Sequence, residues 1–244
     1  MSIWGKILGG GLGFAVGGPL GALVGALLGA QVDRGIDRAR GKITPEATRQ
    51  ITFTIGVIAL SAKMAKADGH VTREEVDVFK RIFQIPPHEA KNVGRIFDMA
   101  RQDSAGYEAY ASQIAKMFGD SPAVLEDLLG ALFHIAMADG VYHSAEDAYL
   151  KNVARIFGFS ETEFEHIKAQ HTGDAAEDPY NILGVGTDVS DAELKRIYRT
   201  LIKEHHPDRL IAKGMPEEFI AIANEKLAAI NTAYDRIAKE RGLN

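Results

Sequence analysis

The chain has no cysteine among its 244 residues, which excludes disulfides, thiolate metal centres and a cysteine nucleophile. It also lacks any excess of positive charge, with 28 Lys and Arg against 33 Asp and Glu and a net charge of −5. A general nucleic-acid binder needs clustered Lys and Arg, so nucleic acid is not an expected partner. None of the eight histidines stands at the spacing of a zinc site. Strand signals are absent from the middle of the chain, where helix signals dominate. At roughly 100–200 residues per domain, the length admits one or two domains.

Charge is missing in another way near the start. Ile7 to Val32 is a run of 26 residues without Asp, Glu, Lys or Arg. A bilayer needs about 20 apolar helical residues, and as a helix this run would reach about 39 Å, so it is expected to cross a membrane, with some tilt. Within it Gly9, Gly13, Gly17, Gly21, Gly25 and Gly29 recur every four residues. In water such a series would weaken a helix by about 1 kcal/mol per glycine, whereas in lipid small residues at this spacing let two helices approach closely. Self-association into a homodimer through this glycine face is therefore expected, with a kink at Pro19. A cleaved signal peptide fits less well, because the apolar stretch is long and only Lys6 precedes it, although Leu28-Gly29-Ala30 loosely resembles a cleavage site. Arg34, Arg38, Arg40 and Lys42 follow the run against Lys6 before it, so the bulk of the chain is expected in the cytoplasm and the amino terminus outside.

From Thr44 to His171 the pattern predicts about seven helices. Thr44-Pro45 and Ser121-Pro122 read as N-cap and first helical residue, while Thr72…Glu75 and Ser160…Glu163 have capping-box spacing. Apolar residues fall at helical intervals in Phe53–Met64, Val76–Phe83, Val124–Met137 and Tyr149–Phe157. The stretch also repeats itself. Ala65-Lys-Ala-Asp68-Gly69 with Glu75 is echoed by Ala136-Met-Ala-Asp139-Gly140 with Glu146, which points to two duplicated helix–turn–helix units. The Asp-Gly frame with its later Glu matches the second half of an EF-hand loop, but Met64, Lys66, Ile135 and Met137 occupy the positions of the first oxygen ligands. No metal site is expected; the acidic residues nearest to one are Asp68, Glu75, Asp139 and Glu146. The Asp-Gly pairs are expected to be left-handed turns closed by local backbone bonds. This stretch, with its paired Ala-Asp-Gly turns, resembles the TerB-like helical bundle of tellurite-resistance proteins, which implies an interaction or sensing module.

After a short linker at 173–177, Asp178-Pro-Tyr-Asn-Ile-Leu-Gly-Val185 opens a compact helical pattern. Ser190…Glu193 starts a long helix through Leu194, Ile197, Tyr198 and Leu201 to His205, which must end at His206-Pro207-Asp208 because a residue before proline avoids helical geometry. A second long helix is expected from about Pro216 to Ile237, with Phe219, Ile222, Leu227, Ile230, Ala233 and Tyr234 on its apolar face. The pair would form an antiparallel hairpin with His-Pro-Asp at its tip. Tyr198, Leu201, Leu227 and Ile230 read as hairpin core, and His205 is equally compatible with core or contact. The opening DPYNILGV, the helix with IYRTL, the HHPDR junction and the KLAAINTAY run resemble the J domain in its own order. The whole chain, from glycine-rich membrane helix through TerB-like bundle to terminal J domain, is similar to the DjlA family of bacterial membrane-anchored J proteins. That family often carries a longer linker before the J domain.

The resemblances imply an all-α chain divided into a membrane helix with basic flank (1–43), a TerB-like bundle (44–172), a linker (173–177) and a J domain (178–244). They imply a bacterial inner-membrane regulatory co-chaperone, with a link to envelope stress, that stimulates ATP hydrolysis by a DnaK-type chaperone and is not itself an enzyme. No cofactor is expected; the expected partners are that chaperone, the lipid bilayer and a second copy of the chain. By resemblance, the contact residues are His206, Pro207 and Asp208, with Arg209 beside them and a basic face of Lys195, Arg199 and Lys203. Asp208 would accept from a basic group of the partner, Pro207 would hold the turn, and His206 would supply a hydrogen bond and packing. The basic strip is local, since residues 178–244 hold 10 Lys and Arg against 11 Asp and Glu. Two other classes remain in view: a membrane scaffold or stress sensor in which the bundle binds the main partner and the J domain only recruits DnaK, and a metal-dependent hydrolase built on the four acidic residues, which lacks a nucleophile.

Overall fold

The structure is a computed structural model that describes residues 18–29, 44–68, 73–82, 85, 87, 90–102, 106–172 and 178–243. Helix α1 is Gly18–Gly29, followed by α2 (Pro45–Asp68), α3 (Arg73–Ile82), α4 (Ala90–Gln102), α5 (Tyr107–Phe118), α6 (Pro122–Ala136), α7 (Ser144–Phe157) and α8 (Glu161–His171). The carboxy-terminal part contains α9 (Pro179–Leu183), α10 (Asp191–Glu204), α11 (Pro207–Ala212), a 3-10 turn at Glu217–Phe219 and α12 (Ile220–Arg241). Among the described residues there is no strand, and α2 to α8 are the seven helices expected between 44 and 171.

Helix α2 is the axle of the bundle. Pro45 occupies its first position and Thr44 caps it, the Ala47 N–H donating to Thr44 Oγ1 at 3.1 Å. Ile51, Thr52, Thr54, Ile55, Val57 and Ile58 are β-branched and individually poor helix formers. Burial overrides that preference: Phe53, Ile55, Val57, Ile58 and Ala59 are fully enclosed, by α4, α5, α6 and α7. The sequence pattern reads as one apolar face, but Gln50 to Ala65 is covered on all sides. Thr54 is satisfied by the Gln50 carbonyl at 3.0 Å, and Tyr149 Oη of α7 donates to the Leu60 carbonyl at 2.8 Å.

Local chemistry sets most helix ends. Ser160 and Glu163 form a full capping box at the start of α8, and Gly158 closes α7 in the left-handed region at φ 95°. Ser121 departs from expectation: it stands at the N-cap of α6, but its hydroxyl donates to Asp120 Oδ1 at 3.3 Å and caps nothing. The position of Thr72, expected to cap α3, lies outside the described residues.

The amino-terminal segment is described only over α1. Its twelve residues reach about 18 Å, and among the described residues no helix is long and apolar enough to cross a membrane. Leu20 and Leu23 of α1 are buried in the bundle core, and the Leu20 N–H donates to Gln113 Oε1 of α5 at 3.1 Å. Pro19 falls in the first turn of α1, after Gly18 at φ 73°, and not in mid-helix. Proline is tolerated there because a first-turn N–H has no helical partner to lose, so the expected kink is corrected to a helix start. Gly9, Gly13 and Gly17 lie outside the described residues, whereas Gly21, Gly25 and Gly29 belong to α1.

The carboxy-terminal hairpin has its own small core of Leu183, Leu194, Ile230, Ala233 and Ile237, with Tyr198 and Leu201 packed against it. Tyr198 stacks on Tyr234 at 3.9 Å and its hydroxyl donates to Asn231 Oδ1. The tripeptide lies between the two long helices as expected, and the chain beyond it is seated in the bundle. Leu210, Met215, Phe219 and Ala223 join the bundle's core, and Phe219 meets Phe53 edge-on with centroids 4.7 Å apart. Phe219 therefore faces α2 and not the hairpin: burying a phenyl ring there removes more apolar surface from water than the thin hairpin interface allows.

Candidate functional site

Helix α10 begins at Ser190, whose hydroxyl accepts the Glu193 N–H at 3.3 Å. Residues four apart along it share one face, so Lys195, Arg199 and Lys203 line up on the exposed side. Among the described residues no ion pair engages these three. Arg196, one step around the helix, is bound instead to Glu193. Arg209 reaches back from the next helix to the Lys203 carbonyl at 3.5 Å, so Lys195, Arg199, Lys203 and Arg209 border one shallow open surface together with the paired Arg196 and with Glu204.

The α10 helix stops at His205, whose N–H still reaches the Leu201 carbonyl at 2.9 Å. Pro207 offers no N–H and pushes His206 out of helical geometry, and His206 adopts φ −65°, ψ 128°. A new helix then begins at once, which sequence reasoning missed: Pro207 is the first residue of α11 and His206 is its N-cap. His206 Nδ1 accepts the Asp208 N–H at 3.2 Å, a bond made within its own turn. The signal for it was Pro207 one position after a side chain able to accept. The outer edge of the corner is open, with the Asp208 side chain 90% exposed and that of His206 50%.

The two adjacent histidines have opposite environments. His205 is 1% exposed. Its Nδ1 lies 3.2 Å from Asp127 Oδ1 and its Nε2 3.8 Å from Glu126 Oε2, both carboxylates belonging to α6. Lys226 of α12 completes the group, bonded to Glu126 and 3.5 Å from Asp127 Oδ1. Burial alone would raise both carboxyl pKa values, but the Lys226 ammonium and His205 outweigh it and hold them below the ordinary range. Lys226 is held above its usual value because two carboxylates outweigh its own burial. Nearby, Asp120 is 3.5 Å from Lys213 and 3.9 Å from Arg49. Sequence reasoning passed over these residues, although Glu126-Asp127 interrupts an apolar run and Lys226 sits on an apolar helix face.

The acidic residues weighed as cation ligands serve the fold. Asp139 Oδ1 accepts the Val141 N–H at 2.8 Å while Gly140 turns left-handed at φ 82°. Glu146 accepts the His143 N–H at 2.9 Å, closing a capping box on α7. Glu75 is apart from them, in the wall of a cavity of about 180 Å³ between α2, α3 and α4. That cavity is apolar except for Glu75, Ser61, Lys80 and Asp98, and among the described residues the Ser61 hydroxyl has no hydrogen-bond partner. The side chain of Asp68 lies outside the described residues, and among those described no three metal-ligating side chains cluster.

Three family models match the chain in succession: the co-chaperone DjlA transmembrane domain over residues 1–41, tellurite resistance protein TerB over 54–169, and the DnaJ domain over 178–241. The co-chaperone protein DjlA of Photobacterium profundum is 32% identical over 220 residues, covering 80% of this chain and 79% of its own length. Those of Vibrio vulnificus and Coxiella burnetii are 31% and 29% identical, over 83% and 74% of this chain and 83% and 74% of their own lengths. No solved structure matches. With all three parts in the same order, and an identity above 30% sustained over four-fifths of its length, the chain belongs to the DjlA family.

Proposed function

We propose that the chain is a membrane-anchored regulatory co-chaperone that stimulates ATP hydrolysis by a DnaK-type chaperone. In this reading residues 1–43 anchor it in the bacterial inner membrane with the amino terminus outside, 44–172 form the TerB-like bundle, 173–177 the linker and 178–244 the J domain. The homodimer through Gly9, Gly13, Gly17, Gly21, Gly25 and Gly29 belongs to the same proposal. The chain breaks no bond itself; it binds one state of its partner better than another and so shifts the partner toward hydrolysis.

The observation that carries this reading is the exposed Asp208 carboxylate beside a strip of cations, Lys195, Arg199, Lys203 and Arg209, that form no ion pair among the described residues. Lys195, Arg199, Lys203 and Arg209 would steer and orient an acidic surface, an effect that weakens with salt. Asp208 would accept a charge-assisted hydrogen bond from a basic group of the chaperone, and Pro207 and His206 fix the backbone from which it projects. The test is steady-state ATPase of a DnaK-type chaperone with the full chain in lipid vesicles. The parent is expected to stimulate hydrolysis and His206→Gln to abolish the effect; equal stimulation by both would refute the reading. The alternative, a scaffold or sensor whose bundle binds the main partner, draws on the apolar cavity beside Ser61 and Glu75.

A further inference from the structure

The buried group around His205 is an unusual way to join two domains. Asp127 and Glu126 are held ionised by their cationic neighbours, and an ionised carboxylate only accepts, so the bond between His205 and Asp127 runs from Nδ1–H to Oδ1. The side chains of His205 and Asp127 are each 1% exposed, and Asp127 Oδ2 has no hydrogen-bond partner among the described residues. Such a cluster is a poor source of stability, since the cost of removing charges from water rivals their attraction and apolar side chains of similar size would hold as well. It does supply register. Apolar surfaces slide over one another, whereas His205 Nδ1 meets Asp127 Oδ1 in only one placement.

The residue placed this way is the one immediately before His206-Pro207-Asp208. On the far side of the tripeptide, Leu210 and Met215 are sealed in the bundle core, and Lys213 lies 3.5 Å from Asp120. Between them Gly214 turns left-handed at φ 103°, where a Cβ would lie 2.7 Å from Arg49 Cβ. The tripeptide is thus held on both flanks while its own outer edge stays open, so this docking presents the corner and does not hide it.

We infer that Asp127 and Lys226 are positioning residues: by fixing His205 against α6 and α12 they hold the His206-Pro207-Asp208 corner in the arrangement that the chaperone binds. This rests on the function proposed above. When only a fraction of molecules holds a binding-competent arrangement, the apparent dissociation constant rises by the inverse of that fraction and the bound complex is unchanged. Releasing His205 should therefore raise the half-saturating concentration for ATPase stimulation and leave its maximum in place.

The test uses the full chain in lipid vesicles with two readouts. Because the parent has no cysteine, Lys116→Cys on α5 and Lys239→Cys on α12 give one spin-label pair across the junction. With this pair the parent is expected to show a single narrow distance distribution. Asp127→Leu is expected to broaden it and to raise half-saturation by about tenfold at unchanged maximal stimulation. Asp127→Asn keeps an acceptor for His205 and should stay within about threefold of the parent. Lys226→Met, which keeps the aliphatic stem, is expected to act like Asp127→Leu and carries the test should that variant fail to fold. An unchanged distance distribution, or unchanged half-saturation despite a broadened one, would overturn the inference. A parent that, like His206→Gln, stimulates nothing would overturn the proposed function and this inference with it, whereas stimulation shared equally by parent and Asp127→Leu would overturn the inference alone.

Discussion

At the scale of single residues, histidine shows how little a side chain's identity says without its surroundings. His205 and His206 are neighbours in sequence, yet one is locked against two carboxylates and the other caps a helix in the open. His171 is a third case. It lies flat on Phe133 with centroids 5.4 Å apart and edge-on to His134 at 4.8 Å. Burial pushes its pKa down to about 3, helped by His134 and Lys226 and opposed by Glu126. The unfolded chain takes up this proton near the ordinary value of 6.5, while the folded chain resists it until about 3. Stability from this group is therefore complete above about pH 6.5 and is lost as pH falls, by about 1.4 kcal/mol per pH unit. Denaturant unfolding is expected to show a lower midpoint at pH 5.5 than at 7.5. His171→Phe, which keeps the stack, should flatten that dependence; an unaltered slope would assign it elsewhere.

Among the elements, those with a chemical signature at their own ends were legible in the sequence. Thr44-Pro45, the Ser160–Glu163 box and the Ser190 cap all stand where the residues place them. The Asp139-Gly140 turn does too, because an aspartate accepting a local N–H and a left-handed glycine need no distant partner. What was not legible depends on residues far away in sequence. Helix α2 reads as one apolar face but is enclosed all round from Gln50 to Ala65, where Thr52, Thr54 and Ser61 carry hydroxyls small enough for a core and Gln50 and Lys63 are buried with them. This enclosure has a cost, because among the described residues the hydroxyls of Thr52 and Ser61 have no hydrogen-bond partner. Ser61→Ala removes one such group and improves helix propensity, so it is expected to stabilise the fold by about 1 kcal/mol, read as a higher urea midpoint at unchanged slope. A loss of stability would mean that the hydroxyl is satisfied in solution. Helix α11 is hard to read from the pattern because the one proline before Asp208 both ends a helix and begins the next.

For the molecule as a whole, the order of parts was readable from motifs, but their union was not. A glycine-spaced apolar run, a duplicated Asp-Gly turn and His-Pro-Asp between two patterned helices each carry their own signature. The seating of the hairpin on the bundle rests on Glu126, Asp127 and Lys226, which look like ordinary surface charges until α6 and α12 are brought together. The same seating takes Phe219 from the hairpin and gives it to the bundle, so the J domain and the TerB-like bundle share apolar core residues. An exposed acidic corner on so firmly held a base is suited to engaging a partner in one orientation.

The central claim is that Asp208 acts on a chaperone's hydrolysis step through one charge-assisted hydrogen bond, and single-turnover ATP hydrolysis by a DnaK-type chaperone tests it most directly. Losing such a bond costs about 1.5–3 kcal/mol, so Asp208→Ala, which removes the acceptor, should cut the acceleration by the full chain roughly tenfold to a hundredfold at matched concentration. Acceleration by Asp208→Ala equal to that of the parent would contradict it.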